Sequence, residues 1–172
     1  MISTVNPTKE ATLRGANADD GAAVAAIYNH YIDHTVVTFE TEPVEDTVMS
    51  QRIAESIDDG LPYLVAVLDG KVCGFAYASK WKGRCAYRYS VESTVYLDPG
   101  CTGGGIGTRL YAALIDNIRE MGMHAIIGGI SLPNDASVAL HEKLGFVKVG
   151  QFSEVGYKFD SWVDVGYWQL TL

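Results

Sequence analysis

The chain has 172 residues, of which 48% are hydrophobic and 20% are charged, as is typical of a single globular domain. The 13 Lys and Arg residues against 21 Asp and Glu residues give a formal net charge of −8 at pH 7. A chain this acidic has no overall positive field, which argues against binding to nucleic acid or to an anionic membrane surface. A polyanionic ligand would have to be held by local groups, namely backbone amides, a helix N-terminus and a few placed cations.

Cysteine usage and the N-terminal segment predict the compartment. Cys73, Cys85 and Cys101 are odd in number and form no C-x-x-C pair, so neither a disulfide framework nor a zinc site is indicated. Residues 1–10 are polar and lack the apolar segment of a signal peptide, and no apolar run reaches the roughly 20 residues of a membrane span. These patterns predict a cytoplasmic protein with a flexible tail at residues 1–10 and a single domain at residues 11–172.

Hydrophobic periodicity predicts the element order βααβββαβαββ, which is a mixed sheet with helices on both faces. Asp19 or Asp20 is expected to cap the first helix, and Asp69-Gly70 has the composition of a hairpin turn. The predicted strands cover residues 11–16, 63–68, 71–79, 87–97, 124–130, 146–159 and 162–170, and the later helices cover about 44–57, 106–121 and 134–144. This order lacks the regular βαβ alternation of a dinucleotide-binding doubly wound fold.

The segment after the fourth predicted strand has the composition of an anion-binding turn. Pro99 ends the strand, residues 102–108 read TGGGIGT, and a helix follows at once. Glycines let backbone N–H groups converge and the helix N-terminus adds partial positive charge, which together suit a pyrophosphate. A tight strand-to-helix turn without a ligand is the alternative. No Lys follows Gly107, so the P-loop of nucleoside triphosphatases is not indicated.

These features resemble the GNAT superfamily of acyl-CoA-dependent N-acetyltransferases. The superfamily has a strand, the motif [QR]-x-x-G-x-[GA], a helix, and later an Asn that opens a short helix ending in E-K-x-G-F. This chain matches the pattern with residues 102–107, with Asn134 and with residues 142–146, which read EKLGF. Thr102 stands where the superfamily has Gln or Arg, which removes one long polar contact to the pyrophosphate.

Five further segments resemble the phosphinothricin and methionine sulfoximine acetyltransferases within that superfamily. They are residues 27–31 (IYNHY), 39–43 (FETEP), 92–96 (ESTVY), 132–137 (LPNDAS) and 164–170 (DVGYWQL). The resemblance implies a mixed α/β GNAT fold with a mostly antiparallel central sheet, acetyl-CoA as cosubstrate without a metal, and a homodimer. It also implies direct acetyl transfer to the α-amino group of a small amino acid such as phosphinothricin, methionine sulfoximine or methionine sulfone.

The resemblance assigns cofactor-binding roles to residues around the glycine-rich turn. It places Val95, Tyr96 and Leu97 along the acetyl and pantetheine portion of acetyl-CoA, mainly through their main chain. The residues expected to contact the pyrophosphate are Thr102, Gly103, Gly104, Gly105, Ile106, Gly107 and Thr108. Asn134 is expected to cap its helix and to bond the pantetheine as well. Lys143 is expected to meet the phosphorylated end of the cofactor, with a solvated lysine as the alternative.

Two side chains are candidates for proton transfer. Glu92 lies on the polar face of the predicted strand, and the resemblance makes it the general base that takes the proton of the attacking amine. A solvated carboxylate paired with Arg88 is the alternative. His141 stands where many GNAT enzymes have a Tyr that protonates the leaving thiolate, and an imidazole can donate or accept a proton near neutral pH. A structural histidine is the alternative for that position.

A small zwitterionic acceptor needs a cation for its carboxylate or phosphinate group. Residues 81–88, WKGRCAYR, carry three cations among aromatic side chains, and the resemblance assigns this block to the acceptor site. The candidates are Lys82, Arg84 and Tyr87, with Phe39 as an apolar wall. A basic surface loop and core packing of Phe39 are the alternatives. The rival functions are acetylation of a polyamine, an aminoglycoside or a protein N-terminus, and non-catalytic binding of acyl-CoA.

Overall fold

A computed structural model describes residues 10–102 and 104–172, and its element order is the predicted one. The strands are β1 (Thr12–Gly15), β2 (Tyr63–Leu68), β3 (Lys71–Lys80), β4 (Ser90–Leu97), β5 (Ala125–Leu132), β6 (Val147–Lys158) and β7 (Ser161–Thr171). The helices are α1 (Gly21–His34), α2 (Asp46–Asp58), α3 (Ile106–Glu120) and α4 (Asp135–Lys143). None of the helices in the described residues is long and apolar enough to cross a membrane. Residues 1–9 of the predicted tail lie outside the described part of the chain.

One sheet of seven strands, in the order β1-β2-β3-β4-β5-β7-β6, forms the centre of the molecule. Every neighbouring pair is antiparallel except β4 and β5, which run parallel. The parallel pair is in register over three positions only, residues 90–92 against residues 125–127. Beyond Glu92, β4 continues beside β3 and β5 continues beside β7, so the two central strands separate.

Helices cover both faces of the sheet, which confirms the predicted mixed α/β architecture. Apolar residues recur every four positions along α3, so that one stripe of this helix faces the sheet. The core on that side contains the fully buried Leu110, Leu114, Ile118 and Ile126. The core under α1 and α2 on the other face contains the fully buried Val24, Ile32, Ile53, Val65 and Phe75.

The fourth strand is shorter than the sequence predicts, because the chain makes local hydrogen bonds before it enters the sheet. Residues 85–87 form a 3-10 turn in which the Tyr87 amide donates to the Arg84 carbonyl at 2.9 Å. Pairing with β5 begins only at Ser90, so the predicted alternation of faces is wrong for residues 87–89 and correct from residue 90 onward.

The start of the first helix also differs from the prediction. A 3-10 turn at Ala18–Asp20 precedes α1, and Asn17 caps it by accepting the Asp19 amide at 2.9 Å. The carboxylate of Asp20 accepts the Asn17 amide at 2.9 Å and pairs with Arg14 at 2.7 Å. Asp20 therefore stabilises the approach to the helix without capping α1 through its side chain.

Replacement of Leu114 by Ala tests whether the α3 core carries the stability of the domain. Leu114 is 0% exposed, so we expect the free energy of unfolding to fall by about 2–5 kcal/mol in urea denaturation. Ile57→Ala is the matched control, because Ile57 on α2 is 44% exposed and its truncation should change the stability by about 0.5 kcal/mol or less. Equal losses in the two variants would contradict this assignment of the core.

Candidate active site

The separation of β4 and β5 opens a cavity of about 80 Å³ in the middle of the sheet. Its walls come from both diverging strands, from α4 and from the loop after α1. The lining residues are Val37, Glu92, Ser93, Thr94, Val95, Tyr96, Gly129, Ile130, Ser131, Asn134, Ser137 and His141. On the cavity side of β4, residues 93–96 have no strand partner in the described sheet, so an extended ligand can pair with their main chain there.

Two consecutive glycines of β5 make room for the two candidate catalytic side chains. A Cβ at Gly128 would lie 2.5 Å from Nε2 of His141, and one at Gly129 would lie 3.5 Å from Oε1 of Glu92. Successive residues of a strand face opposite sides of the sheet, so His141 and Glu92 approach the cavity from opposite faces. The structure thus brings the two predicted residues to one cavity, although 49 positions of the sequence separate them.

His141 is 4% exposed, and its ring is fixed by its neighbours. Nδ1 lies 2.8 Å from the Ser137 carbonyl oxygen, and the ring meets those of Tyr111 and Phe146 edge-on at 5.0 and 5.1 Å. A carbonyl oxygen can only accept a hydrogen bond, so the proton of the neutral imidazole is on Nδ1 and Nε2 carries a lone pair. Burial lowers the pKa of His141, against a smaller opposing effect of the Ser137 carbonyl. The imidazole is therefore neutral at pH 7.

Glu92 is partly buried, and its surroundings favour the protonated form more than water does. Burial raises the pKa of Glu92, while the ammonium of Lys82 lowers it by a smaller amount. The predicted alternative of an ion pair with Arg88 is not found, because the Arg88 guanidinium lies over the Tyr89 ring at 4.6 Å. Glu92 is thus a partly desolvated carboxylate beside the cavity.

The glycine-rich turn forms part of the wall of a larger cavity of about 570 Å³. Pro99–Cys101 is a 3-10 turn, the Asp98 carboxylate accepts the Gly100 amide at 2.7 Å, and α3 begins after Gly105. Gly105 has φ +73°, a conformation that side chains with a Cβ rarely adopt, which explains a glycine before this helix. The predicted cofactor residues in the wall are Val95, Tyr96, Leu97, Thr102, Gly105, Ile106, Gly107, Thr108, Asn134 and Lys143.

This cavity suits an elongated anion. The amides of the first turn of α3, which have no acceptor within the helix, the Thr108 hydroxyl and the Lys143 ammonium can all donate, as a pyrophosphate requires. The Thr102 hydroxyl donates to the Pro99 carbonyl at 3.3 Å. The side-chain oxygen of Asn134 caps α4 by accepting the Ser137 amide at 3.1 Å, and Asn134 lines both cavities. Gly104 lines a neighbouring cavity on the outer side of the turn, and Gly103 lies outside the described residues. In the described chain, no three His, Cys, Asp or Glu side chains are placed to hold a metal ion.

The predicted acceptor residues lie on the Glu92 side of the sheet but are not all brought together. Lys82 and Tyr87 line an open cavity of about 480 Å³ with Tyr167 of β7. Arg84 belongs to the same loop, is exposed, and is not in the wall of that cavity. Phe39 is 41% exposed and therefore not a core residue. Its ring lies against Gly156 near the end of β6, where a Cβ would come within 2.3 Å.

Sequence reasoning missed two features of this site. The pair Gly128-Gly129 inside an apolar strand could have been recognised as a feature of the site. Glycine within a strand often marks a place where a ligand or another part of the chain comes close to the backbone. The position of Tyr167 could not have been recognised, because no local sequence signal reports it. A Cβ placed on Gly129 would lie 3.3 Å from the Tyr167 ring and 3.5 Å from the Glu92 carboxylate. Trp81 and Phe152 meet Tyr167 edge-on at 6.0 and 5.7 Å, so an aromatic wall borders the carboxylate.

Comparison with known proteins gives close relatives of the whole chain. A sequence model described as the acetyltransferase (GNAT) family matches residues 24–146. A phosphinothricin N-acetyltransferase of Streptomyces viridochromogenes is 43% identical over 157 residues, which are 91% of this chain and 85% of the relative. An L-methionine sulfoximine/L-methionine sulfone acetyltransferase of Salmonella typhimurium is 38% identical over 162 residues, which are 94% of each chain.

A solved structure has the same fold and holds the expected cosubstrate. It is a GNAT superfamily phosphinothricin acetyltransferase of Sinorhizobium meliloti in complex with acetyl-CoA. The superposition has a TM-score of 0.91 at 36% identity and covers 95% of this chain and 89% of the other. With its diverging central strands and its donor-lined turn, the chain belongs to the acetyltransferase (GNAT) family, whose members are N-acetyltransferases that use acetyl-CoA.

Proposed function

We propose that the chain transfers acetyl from acetyl-CoA to the α-amino group of a small amino acid such as phosphinothricin, methionine sulfoximine or methionine sulfone. The observation that carries the proposal is a desolvated carboxylate, Glu92, at the point where β4 and β5 separate. Beside it, Lys82 and Tyr87 line an open cavity that suits a small anionic group. Relatives named for these acceptors are 38–43% identical over more than nine-tenths of this chain, which supports the same substrate class.

In this proposal Glu92 is the general base. Acetyl-CoA supplies the activated acetyl thioester. An α-ammonium group has a pKa near 8. Because the pKa of Glu92 is raised, the difference in pKa between the proton donor and this acceptor is smaller, which makes proton transfer less unfavourable. Glu92 passes the ammonium proton to solvent, the amine nitrogen bonds to the carbonyl carbon, the carbon–sulfur bond breaks, and the second proton that the nitrogen loses goes to Glu92. Main-chain N–H groups in residues 93–96 stabilise the negative charge on the carbonyl oxygen.

For His141 the tautomer favours a role as acceptor over the predicted role as acid. Nδ1–H is engaged by the Ser137 carbonyl, and Nε2 has a lone pair and no proton to give to a leaving thiolate. Its lowered pKa keeps the ring neutral at pH 7. We therefore propose that Nε2 of His141 accepts a hydrogen bond within the cavity, and that the thiolate is protonated from solvent.

The remaining cofactor roles are proposed as the sequence predicted them. The amides of the turn and the start of α3 hold the pyrophosphate, with Lys143 at the phosphorylated end. The main chain of Val95, Tyr96 and Leu97 follows the pantetheine. We propose that Arg84 reaches the acceptor only when its loop closes, because it lies outside the present cavity wall. Free thiols at Cys73, Cys85 and Cys101 suit a reducing compartment, and we propose the cytoplasm.

We also propose that two copies of the chain associate through β6. This strand is an edge of the sheet, and it exposes contiguous apolar side chains. The side chains are Val147 (67% exposed), Val149 (59%), Phe152 (60%) and Val155 (58%). An exposed apolar edge strand is an aggregation hazard unless another surface covers it. A second copy would cover it and would border the open cavity that Phe152 also lines.

Release of free CoA from acetyl-CoA tests the substrate class. We expect release with phosphinothricin and methionine sulfone and none with spermidine or an aminoglycoside, because the acceptor cavity carries Lys82 and suits an anion. Glutamate tests whether a plain carboxylate is sufficient. Release with spermidine or the aminoglycoside alone would contradict the proposed acceptor. Tight binding of acetyl-CoA without release for any of the five would favour a non-catalytic module.

Replacement of Glu92 by Gln tests the general base. We expect kcat to fall roughly 10²-fold while the KM for acetyl-CoA is unchanged. The base is the ionised carboxylate of Glu92, and this form predominates only above the raised pKa of Glu92. Activity of the unmodified chain should therefore fall as the pH falls through a value above 4.5, the ordinary pKa of a glutamate. Glu120→Gln, at the exposed end of α3, is the control. Unchanged kcat in Glu92→Gln would rule out this role.

Sedimentation tests the β6 interface. We expect the chain to sediment at twice its mass of 18.7 kDa, and the double variant Val147→Asp, Val155→Asp to sediment as a monomer, because two charges on the apolar edge oppose its burial. Val48→Asp, on the exposed face of α2, is the control. A dimer that survives both charges would place the interface elsewhere.

A further inference from the structure

A buried lysine joins the end of β6 to the loop that follows α1. Lys158 is 4% exposed, and its Nζ donates to the Thr38 carbonyl at 2.9 Å, across 120 positions of sequence. Nζ also lies 5.0 Å from the centre of the Phe159 ring. Taking an ammonium out of water is costly, and an apolar side chain would fill the same space without that cost. What the cation contributes is a directed bond to one main-chain oxygen, together with attraction to the carboxylate of Asp33 near the end of α1.

The bonded carbonyl belongs to the residue before Phe39, the proposed apolar wall of the acceptor site. The Phe39 ring is 41% exposed, so its own burial does little to hold it. Its contact with the hairpin of β6 and β7 is at Gly156, where a Cβ would come within 2.3 Å of its Cζ. Lys158 is two residues further along the same strand. The end of β6 therefore contacts both the ring and the backbone that carries it.

The other side of the loop is anchored independently. The Thr38 hydroxyl lies 2.8 Å from the Tyr28 hydroxyl, and the Glu40 carboxylate pairs with Arg52 of α2 at 2.7 Å. These contacts tie the loop to the α1 and α2 layer, on the face of the sheet where Glu92 lies. Without Lys158 the loop would keep that attachment and the contact of the Phe39 ring with Gly156, but it would lose its backbone hydrogen bond to the C-terminal hairpin. The ring of Phe39 would then be held less firmly relative to β6, the strand whose Phe152 lines the acceptor cavity.

We infer that Lys158 is a positioning residue for the acceptor side of the site: by holding the Thr38 carbonyl it sets where the Phe39 ring stands. This inference rests on the proposed function and on the predicted role of Phe39 as an apolar wall of the acceptor site. The effect should fall mainly on the acceptor, because Val37 is the part of this loop that lines the proposed acetyl-CoA cavity and the glycine-rich turn lies on other elements. Loss of the Lys158 bond should weaken binding of the amino acid and leave binding of acetyl-CoA unchanged.

Steady-state kinetics of Lys158→Met measure this consequence. We expect the KM for phosphinothricin to rise roughly tenfold, the scale of one lost charge-assisted hydrogen bond, with kcat and the KM for acetyl-CoA within about twofold of the unmodified chain. Lys71→Met is the control, because Lys71 is an exposed lysine at the start of β3. An unchanged acceptor KM overturns the inference. A parallel rise in both KM values also overturns it, because that is the signature of a general structural defect.

A double-mutant cycle separates positioning of Phe39 from other effects. Phe39→Ala removes the ring, so Lys158→Met should raise the acceptor KM no further in that background. Additive effects would overturn the inference. Gly156→Ala, whose Cβ would strike the ring, should raise the acceptor KM by itself and lose that effect when Phe39 is Ala. If Lys158→Met does not fold, Lys158→Leu also removes the donor, with a shorter side chain, and replaces it in the cycle.

Hydrogen exchange gives a readout that does not depend on turnover. We expect the amides of residues 38–41 to exchange faster in Lys158→Met, whereas Lys71→Met leaves them unchanged. If the unmodified chain acetylates none of the amino acids, the proposed function fails, and exchange still decides whether Lys158 holds the loop. If the amino acids are acetylated but neither the acceptor KM nor the exchange responds to Lys158→Met, the positioning role alone fails.

Discussion

The parallel pairing of β4 with β5 lasts for three residues, and the site depends on where it stops. Up to Glu92 the two strands are ordinary neighbours in one sheet. Beyond it each strand is held by its outer neighbour, which leaves a gap with main-chain groups on one side and glycines on the other. An extended cosubstrate can take the position of the missing strand partner, and side chains from both faces of the sheet can reach the same point.

Burial has opposite effects on the two ionisable groups that meet in this gap. It raises the pKa of Glu92 and lowers the pKa of His141, because in each case the charged form loses hydration. The carboxylate becomes a stronger base, and the imidazole stays neutral. One physical cause therefore supports the two proposed roles, Glu92 as proton acceptor for the amine and His141 as a neutral hydrogen-bond acceptor whose ring is fixed by Ser137.

The two substrates of the proposed reaction meet parts of the chain that are organised differently. The turn that suits acetyl-CoA is mostly contiguous, from the end of β4 into the first turn of α3. The cavity proposed for the acceptor combines Lys82, Tyr87, Phe152 and Tyr167, most of which are far apart in sequence. A contiguous turn keeps its geometry through local bonds, whereas the acceptor side needs long-range contacts such as the one made by Lys158. Changes in acceptor specificity can therefore arise without any change at the acetyl-CoA turn.

The sequence by itself determined the order of elements, the two helix layers, the glycine-rich turn and the candidates Glu92 and His141, because periodicity, caps and turn glycines are local signals. It misplaced the start of β4, where bonds between close neighbours in the chain compete with the sheet. Only the tertiary structure decided that Gly128 and Gly129 admit His141 and Glu92 from opposite faces, and that Tyr167 borders the carboxylate. Those facts depend on which strands are neighbours and in what register, and residue spacing along one strand carries no information about either.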